Sequence, residues 1–247
     1  MSERNVSSAD DGFTLAGRTV DAGRPVEWLK RGWEAFLKNP GVWIACTVIA
    51  GLCLVVPTLL IPLLGQLVAN VLFVVFAAGL MLGCQSLAAD GELRVDHLIA
   101  GFSRNGNGLL ALGVLFAVVM LAATAIPFVF IGGAGTVSGI TMGNLAGLGV
   151  ALGSLMLAFL VSLALTVPLT MAIWFAPALV VFHNVAPLAA MKSSFNACLK
   201  NLVPFLVYGV ILLVLFVVAA IPAGLGFLVL FPVLIGAQYA SYVEIYE

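Results

Sequence analysis

An amphipathic helix joined without a break to an apolar run of membrane length is the feature that most limits what this chain can become. It is clearest from Met191 to Val218, MKSSFNACLKNLVPFLVYGVILLVLFVV. The junction recurs near the start. With an offset of 162 residues, Leu29 falls on Met191, Lys30 on Lys192, Trp33 on Phe195, Ala35 on Ala197, and Leu37-Lys38-Asn39 on Leu199-Lys200-Asn201. A fainter copy runs from Val95 to Asn105, with Val95, Ile99 and Phe102 on the apolar side. A short helix with tryptophans on one side and lysines on the other suits the headgroup plane, and the run after it is long enough to cross the bilayer. The sequence therefore predicts an all-α polytopic membrane protein. Six transmembrane helices are expected in three quasi-repeated units, residues 25–89, 90–182 and 183–247, each preceded by a cytoplasmic-side amphipathic interfacial helix.

Charged residues make up 9% of the chain and apolar ones 63%, where soluble domains carry about 25% charged residues. Such a chain cannot cover itself with a solvated surface, so lipid must be its main solvent. At about 20 residues per crossing, it has room for about six spans and short connections, without a separate catalytic domain. Residues 1–24 are polar and mixed in charge and read as a disordered cytoplasmic tail. They lack the basic start and apolar core of a cleavable signal, so the first span is expected to serve as the targeting signal.

The first short helix starts at Pro25 and sets Leu29, Trp33, Phe36 and Leu37 on one stripe. Span one, Val42 to Leu64, has no charge, and Pro57 and Pro62 predict a kink and a return through Gly65-Gln66. Span two runs from Leu67 to Ala88. Asp90 to Gly108 forms the second short helix and Leu109 to Ile131 span three. Between Gly132 and Gly147, glycines recur at 135, 139, 143 and 147. This spacing fits either a flexible loop or a helical start to span four whose glycine edge lets a neighbour approach closely. Span four, Gly149 to Trp174, is followed by FAPALVVFHN, expected along or just under the interface, and by the third short helix, Pro187 to Asn201. Spans five and six are Leu202 to Ile221 and Leu225 to Tyr242.

All ten Lys and Arg residues lie in the tail or in the segments before spans one, three and five. The positive-inside rule then predicts a multi-pass protein of the bacterial inner (cytoplasmic) membrane with both termini in the cytoplasm. Trp28, Trp33, Trp43 and Trp174, with Tyr239, Tyr242 and Tyr246, gather at the same side as an interfacial belt.

No ionisable side chain falls inside a predicted span, which weighs against a proton-coupled carrier or an intramembrane hydrolase. The polar groups at depth are Asn70, Gln85, Tyr208 and Gln238, candidates for intramembrane polar contacts. Lys30, Lys38, Lys192 and Lys200, at matching places in the short helices, are candidate contacts to lipid headgroups. Cys46, Cys53, Cys84 and Cys198 lack metal-type spacing and read as small hydrophobes. Asp96-His97 with Glu92 fits the wet face of an interfacial helix better than a metal or acid–base site. No catalytic, metal or cofactor-binding residue is assigned, no cofactor is expected, and the basic residues are too few for nucleic acid.

The run GRTVDAGRPVEWLKRGWEAFLKNPGVWI, the residues Gly79-Leu80-Met81-Leu82-Gly83, and the LIAGF and SFNACLKN segments together resemble a family of six-span proteobacterial inner-membrane proteins, across nearly the whole chain. That family has no assigned reaction, so the resemblance carries over no catalytic residue. The expected role is non-enzymatic: a scaffold or accessory protein organising membrane lipids or a partner inner-membrane protein, with self-association as a further form of partnership. The competing expectation is a carrier or channel for an uncharged or lipid-like solute.

Overall fold

The computed structural model describes residues 13–247. Among the described residues the chain is built of helices and turns: α1 (Arg24–Lys38), α2 (Pro40–Leu60), α3 (Pro62–Ala88), α4 (His97–Pro127), a π-helical turn (Phe128–Gly133), α5 (Ala134–Met142), α6 (Leu145–Trp174), α7 (Ala176–His183), α8 (Pro187–Lys200), α9 (Leu202–Ala220) and α10 (Phe227–Tyr246). Six helical stretches are long and apolar enough to cross a membrane: Pro40–Leu60, Pro62–Ala88, His97–Met142, Leu145–His183, Leu202–Ala220 and Phe227–Tyr246.

Prolines open α1, α2, α3, α7 and α8 in their first turns, where the missing N–H costs nothing. The same chemistry moves the first return of the chain. It falls at Ile61 rather than at Gly65-Gln66, because the residue before a proline is held out of the helical region, and Ile61 sits at φ −139°, ψ 84°. Gly65 is already inside α3 and lies against the Pro57 carbonyl.

The glycine-rich stretch is helical, but as an extension of span three. α5 ends at Gly143 in the left-handed conformation (φ 60°), and Asn144 caps α6 by accepting a 2.9 Å bond from Gly147 N. Gly135 and Gly139 on α5 lie against Ser154, Gly147 and Ala151 on α6. The small residues therefore fasten the two arms of one hairpin. From Gly106 to Met142 its first arm follows a helical path of about 55 Å. The 21 residues of α2 give about 31 Å. The longer arms carry exposed Val129, Phe130, Val137, Ile140 and Leu145 near the turn.

Two readings of local placement are corrected. The FAPALVVFHN segment does not present an apolar face to lipid: Ala176, Pro177, Ala178, Leu179, Val180 and Val181 of α7 are buried, packed against α3, α4 and α8. A uniformly apolar segment fits a protein core as well as an interface, and the core has claimed it. Residues 1–12 of the expected disordered tail lie outside the described residues, but residues 13–23 are docked. Thr14 N and Arg18 N donate to the carbonyls of Tyr246 (2.9 Å) and Ile245 (2.7 Å), and Val20 N donates to Asn201 Oδ1 (2.8 Å). Backbone bonding of this kind offsets the ordering entropy that the polar composition alone could not.

Core packing follows a pattern around the molecule. α3 packs on the start of α4, where Gly79 faces the carbonyls of His97 and Leu98; α6 packs on α8; and α10 packs on α1, where Gly32 meets Gly236. A Cβ on Gly236 would stand 2.8 Å from Gly32 Cα, so only glycine permits this approach.

Candidate functional site

The charge-bearing end of the bundle is organised by three asparagines at the junctions between short helix and apolar run. Asn39 separates α1 from α2, Asn201 separates α8 from α9, and Asn105 interrupts α4 with φ −151°, ψ 61°. Their amides do comparable work. Asn39 Nδ2 donates to Leu93 O (3.4 Å), Asn105 Nδ2 to Val180 O (3.1 Å) and Asn201 Nδ2 to Arg18 O (2.8 Å). Each acceptor lies a few residues ahead of a short helical segment: the start of α4, α8 and α1 respectively.

The four lysines singled out from the sequence are all exposed on α1 and α8. Lys38 Nζ donates to Leu87 O at 2.7 Å and Lys200 Nζ to Ala16 O at 2.8 Å, which anchors two of them at the rim while each ammonium retains further donors. The apolar stripes of the short helices divide between protein and surroundings. Trp28 is 1% exposed and Phe36 is buried, whereas Trp33 is 46% exposed and Leu37, Val95, Ile99 and Phe102 are exposed with it.

The four candidate polar groups do not converge on a shared cavity. Gln85 is exposed and Asn70 half-buried. Gln238 Nε2 donates to the Trp174 carbonyl. Tyr208 is 4% exposed, with Trp28 and Trp174 packed edge-on at 6.2 and 6.0 Å. Its hydroxyl and the Trp174 indole N–H have no hydrogen-bond partner among the described residues. Gln238, Trp174 and Tyr208 are thus neighbours.

Glu244 is the residue that sequence reasoning missed. It forms an ion pair with Arg24 and accepts the Trp28 indole N–H at 2.7 Å, tying α1 to the last turns of α10. Its signal was its isolation: an acid beside an apolar run, where charge needs a partner. Ser194 was missed as well. Its hydroxyl donates to Met171 O (2.7 Å) and accepts Phe175 N (2.9 Å), stitching α8 to the end of α6. Next to it, burial pushes the Cys198 thiol up to about 12, which keeps it protonated and unreactive.

His97 accepts from Arg94 N (3.0 Å), and Asp96 pairs with Arg94 at 2.9 Å on the exposed surface. Among the described residues no group of three His, Cys, Asp or Glu side chains could hold a metal.

Two cavities open along α3 and α10, one walled on its third side by α1 and the other by α2. One, about 310 Å³, lies at the charge-bearing end with Arg31, Glu34, Lys38, Tyr239 and Glu247 in its lining. The other, about 510 Å³, is apolar and deeper, bounded by Trp43, Gly51, Phe73, Ala77 and Phe231 among others.

Compared with known proteins, the chain is similar to a probable inner membrane protein of Burkholderia thailandensis. The two are 30% identical over 192 residues, which cover 74% of this chain and 70% of the relative. No protein-family model and no solved structure matches the chain.

Proposed function

This chain belongs to the same family as the probable inner membrane protein of Burkholderia thailandensis, and from that premise we propose that it acts without catalysing a reaction, as a scaffold or accessory protein organising lipid or a partner membrane protein. It is an integral, multi-pass inner membrane protein. The proposed architecture is a closed ring of three units, each a short interfacial helix followed by a hairpin of spans, with both termini and the three short helices on the cytoplasmic side.

The observation that carries this reading is the relay of junction asparagines. Asn39, Asn105 and Asn201 each bond a carbonyl ahead of the next short helix, and the third returns to Arg18 and closes the circuit. A ring fastened at every junction presents a fixed collar. Alternating-access carriers instead commonly rock one repeat against another around a central site. On the outer side of this collar, exposed Trp33, Ile99 and Phe102 and the four exposed lysines offer an apolar and cationic rim. That is the chemistry of an anionic lipid surface, at about 1 kcal/mol for each cation.

The carrier reading keeps one supporting observation. Tyr208 and Trp174 carry unpartnered donors beside Gln238, and a bound solute could supply an acceptor. Two sets of variants separate the readings. In a scaffold, Gln85→Leu with Gln238→Leu leaves partner and lipid association nearly intact, while polar substitutions at Trp33, Phe102 and Phe195 weaken it. Saturable solute uptake into reconstituted vesicles, abolished by the double glutamine variant, would overturn the scaffold.

A further inference from the structure

The two cavities follow each other along the same faces of α3 and α10, and taken together they form one candidate crevice. On α3 their linings run Phe73, Ala77, Leu80, Cys84, Leu87, in steps of three and four along one helical face, and on α10 they run Phe231, Ile235, Tyr239, Val243. Trp43 borders the deep cavity and donates its indole N–H to the Ala35 carbonyl at 3.0 Å, while Ala35 borders the shallow one. The crevice thus has a polar mouth at the collar and an apolar floor among the spans. From Leu87 to Phe73 it follows about 21 Å of helix, comparable to the depth of one leaflet with its headgroup, since the whole hydrocarbon core is about 30 Å and the full bilayer about 40–45 Å.

We propose that this crevice binds one phospholipid whose headgroup is zwitterionic and carries a primary ammonium, with an acyl chain in the deep cavity. The charges at the mouth select it. Arg31 and Lys38 supply two cations for the phosphate, and Glu34 and Glu247 supply two carboxylates for the ammonium. Arg31 is otherwise paired with Glu27 at 3.5 Å, and Lys38 is oriented by its bond to Leu87 O. A headgroup with only negative charge would leave both carboxylates facing a like charge. A quaternary ammonium has no N–H to give them. The inference rests on the reading that the protein organises lipid, and narrows it to one site with a preference opposite to that of the lysine rim.

The test uses the delipidated full-length variant carrying Lys30→Gln, Lys192→Gln and Lys200→Gln, which keeps Arg31 and Lys38 at the crevice but lacks the other rim lysines, and titrates it in detergent with dioleoyl phosphatidylethanolamine, phosphatidylglycerol or phosphatidylcholine, reading bound lipid by native mass spectrometry. Phosphatidylethanolamine should bind about tenfold more tightly than the other two, the ratio expected from one well-made charge-assisted bond. Glu34→Gln with Glu247→Gln should erase that preference. Gly51 faces open space, and a Cβ added there would meet nothing within 4 Å, so Gly51→Leu should fold normally and fill the deep cavity, lowering retention of all three lipids. Equal or tighter binding of phosphatidylglycerol, a preference that survives the double Gln change, or retention unaffected by Gly51→Leu would overturn the proposal. Because that background lacks Lys30, Lys192 and Lys200, anionic lipid held by the rim does not enter these results, and failure here is distinguishable from failure of the collar.

Discussion

Asn39 and Asn105 hold nearly the same backbone conformation, φ −153°, ψ 67° and φ −151°, ψ 61°, although one stands between two separate helices and the other interrupts a continuous one. Each turns the chain from a short helix into a membrane-length run and spends its amide on a carbonyl ahead of the next short helix in the chain. Asn105 does more than Asn39. It also donates to Asn184 Oδ1 (3.1 Å) and accepts Gly108 N (3.1 Å), so it caps the rest of α4.

That difference orders two variants. Asn105→Ala removes a cap and two bonds to the end of α7, together about 2–3 kcal/mol. Asn39→Ala loses one long bond, about 0.5 kcal/mol. Thermal unfolding in detergent should show a clear loss for the first and a small one for the second. Equal losses would mean that the junctions are fastened by something other than these amides.

The contact of α1 with α10 depends on two glycines. A Cβ on Gly32 would stand 2.8 Å from Ala237 N and closer still to Val233 O. Gly32→Ala should therefore cost about 1–3 kcal/mol, the usual range for overpacking. Gly41→Ala, where a Cβ meets nothing within 4 Å, serves as the control and should be neutral or slightly stabilising. A Gly32→Ala protein as stable as the control would remove the close helix crossing.

Tyr208 offers an opposite sign. Its buried hydroxyl has no partner among the described residues, and an unsatisfied buried group costs about 1–3 kcal/mol. Tyr208→Phe should leave stability unchanged or raise it. Destabilisation beyond about 1 kcal/mol would show that an acceptor occupies the space beside Trp174 and would strengthen the carrier reading.

Much of this architecture was legible in the sequence because charge and period are strong signals in lipid. Uncharged runs bounded by Lys-Asn pairs marked the spans, and Lys38-Asn39 and Lys200-Asn201 both fall where a short helix gives way to a membrane-length one. The losses have physical causes. α1 carries two apolar sides, Trp28 with Phe36 and Trp33 with Leu37, and periodicity cannot say which one the protein buries. Gly65 looked like the turn because glycine is permissive, but Pro62 restricts Ile61 and turns the chain earlier. The tail composition concealed backbone groups at Thr14 and Arg18 that meet the end of α10. Among the candidate site residues, the lysines are exposed on α1 and α8. Gln85 is exposed whereas Gln238 bonds the Trp174 carbonyl, because the sequence alone does not fix the direction in which a side chain leaves its helix.

Membrane orientation gives an independent prediction, since every Lys and Arg precedes span one, three or five. Reporter fusions after Gly65, Gly139 and Gly224 should report the periplasm, and those after Gly101, Asn196 and Glu247 the cytoplasm. One fusion on the wrong side removes a span from the arrangement.

The central claim is that the collar gathers lipid, and its most direct test is the lipid that stays with the protein. Protein purified from native membranes is compared with the variant in which Lys30, Lys38, Lys192 and Lys200 are all Gln, with bound anionic phospholipid quantified per chain by mass spectrometry. Each cation near an anionic surface contributes about 1 kcal/mol, so the account predicts that the variant loses most of its anionic lipid while its helicity and elution remain those of the parent. An unchanged lipid complement in the folded variant would contradict the account and reduce the four lysines to signals of topology.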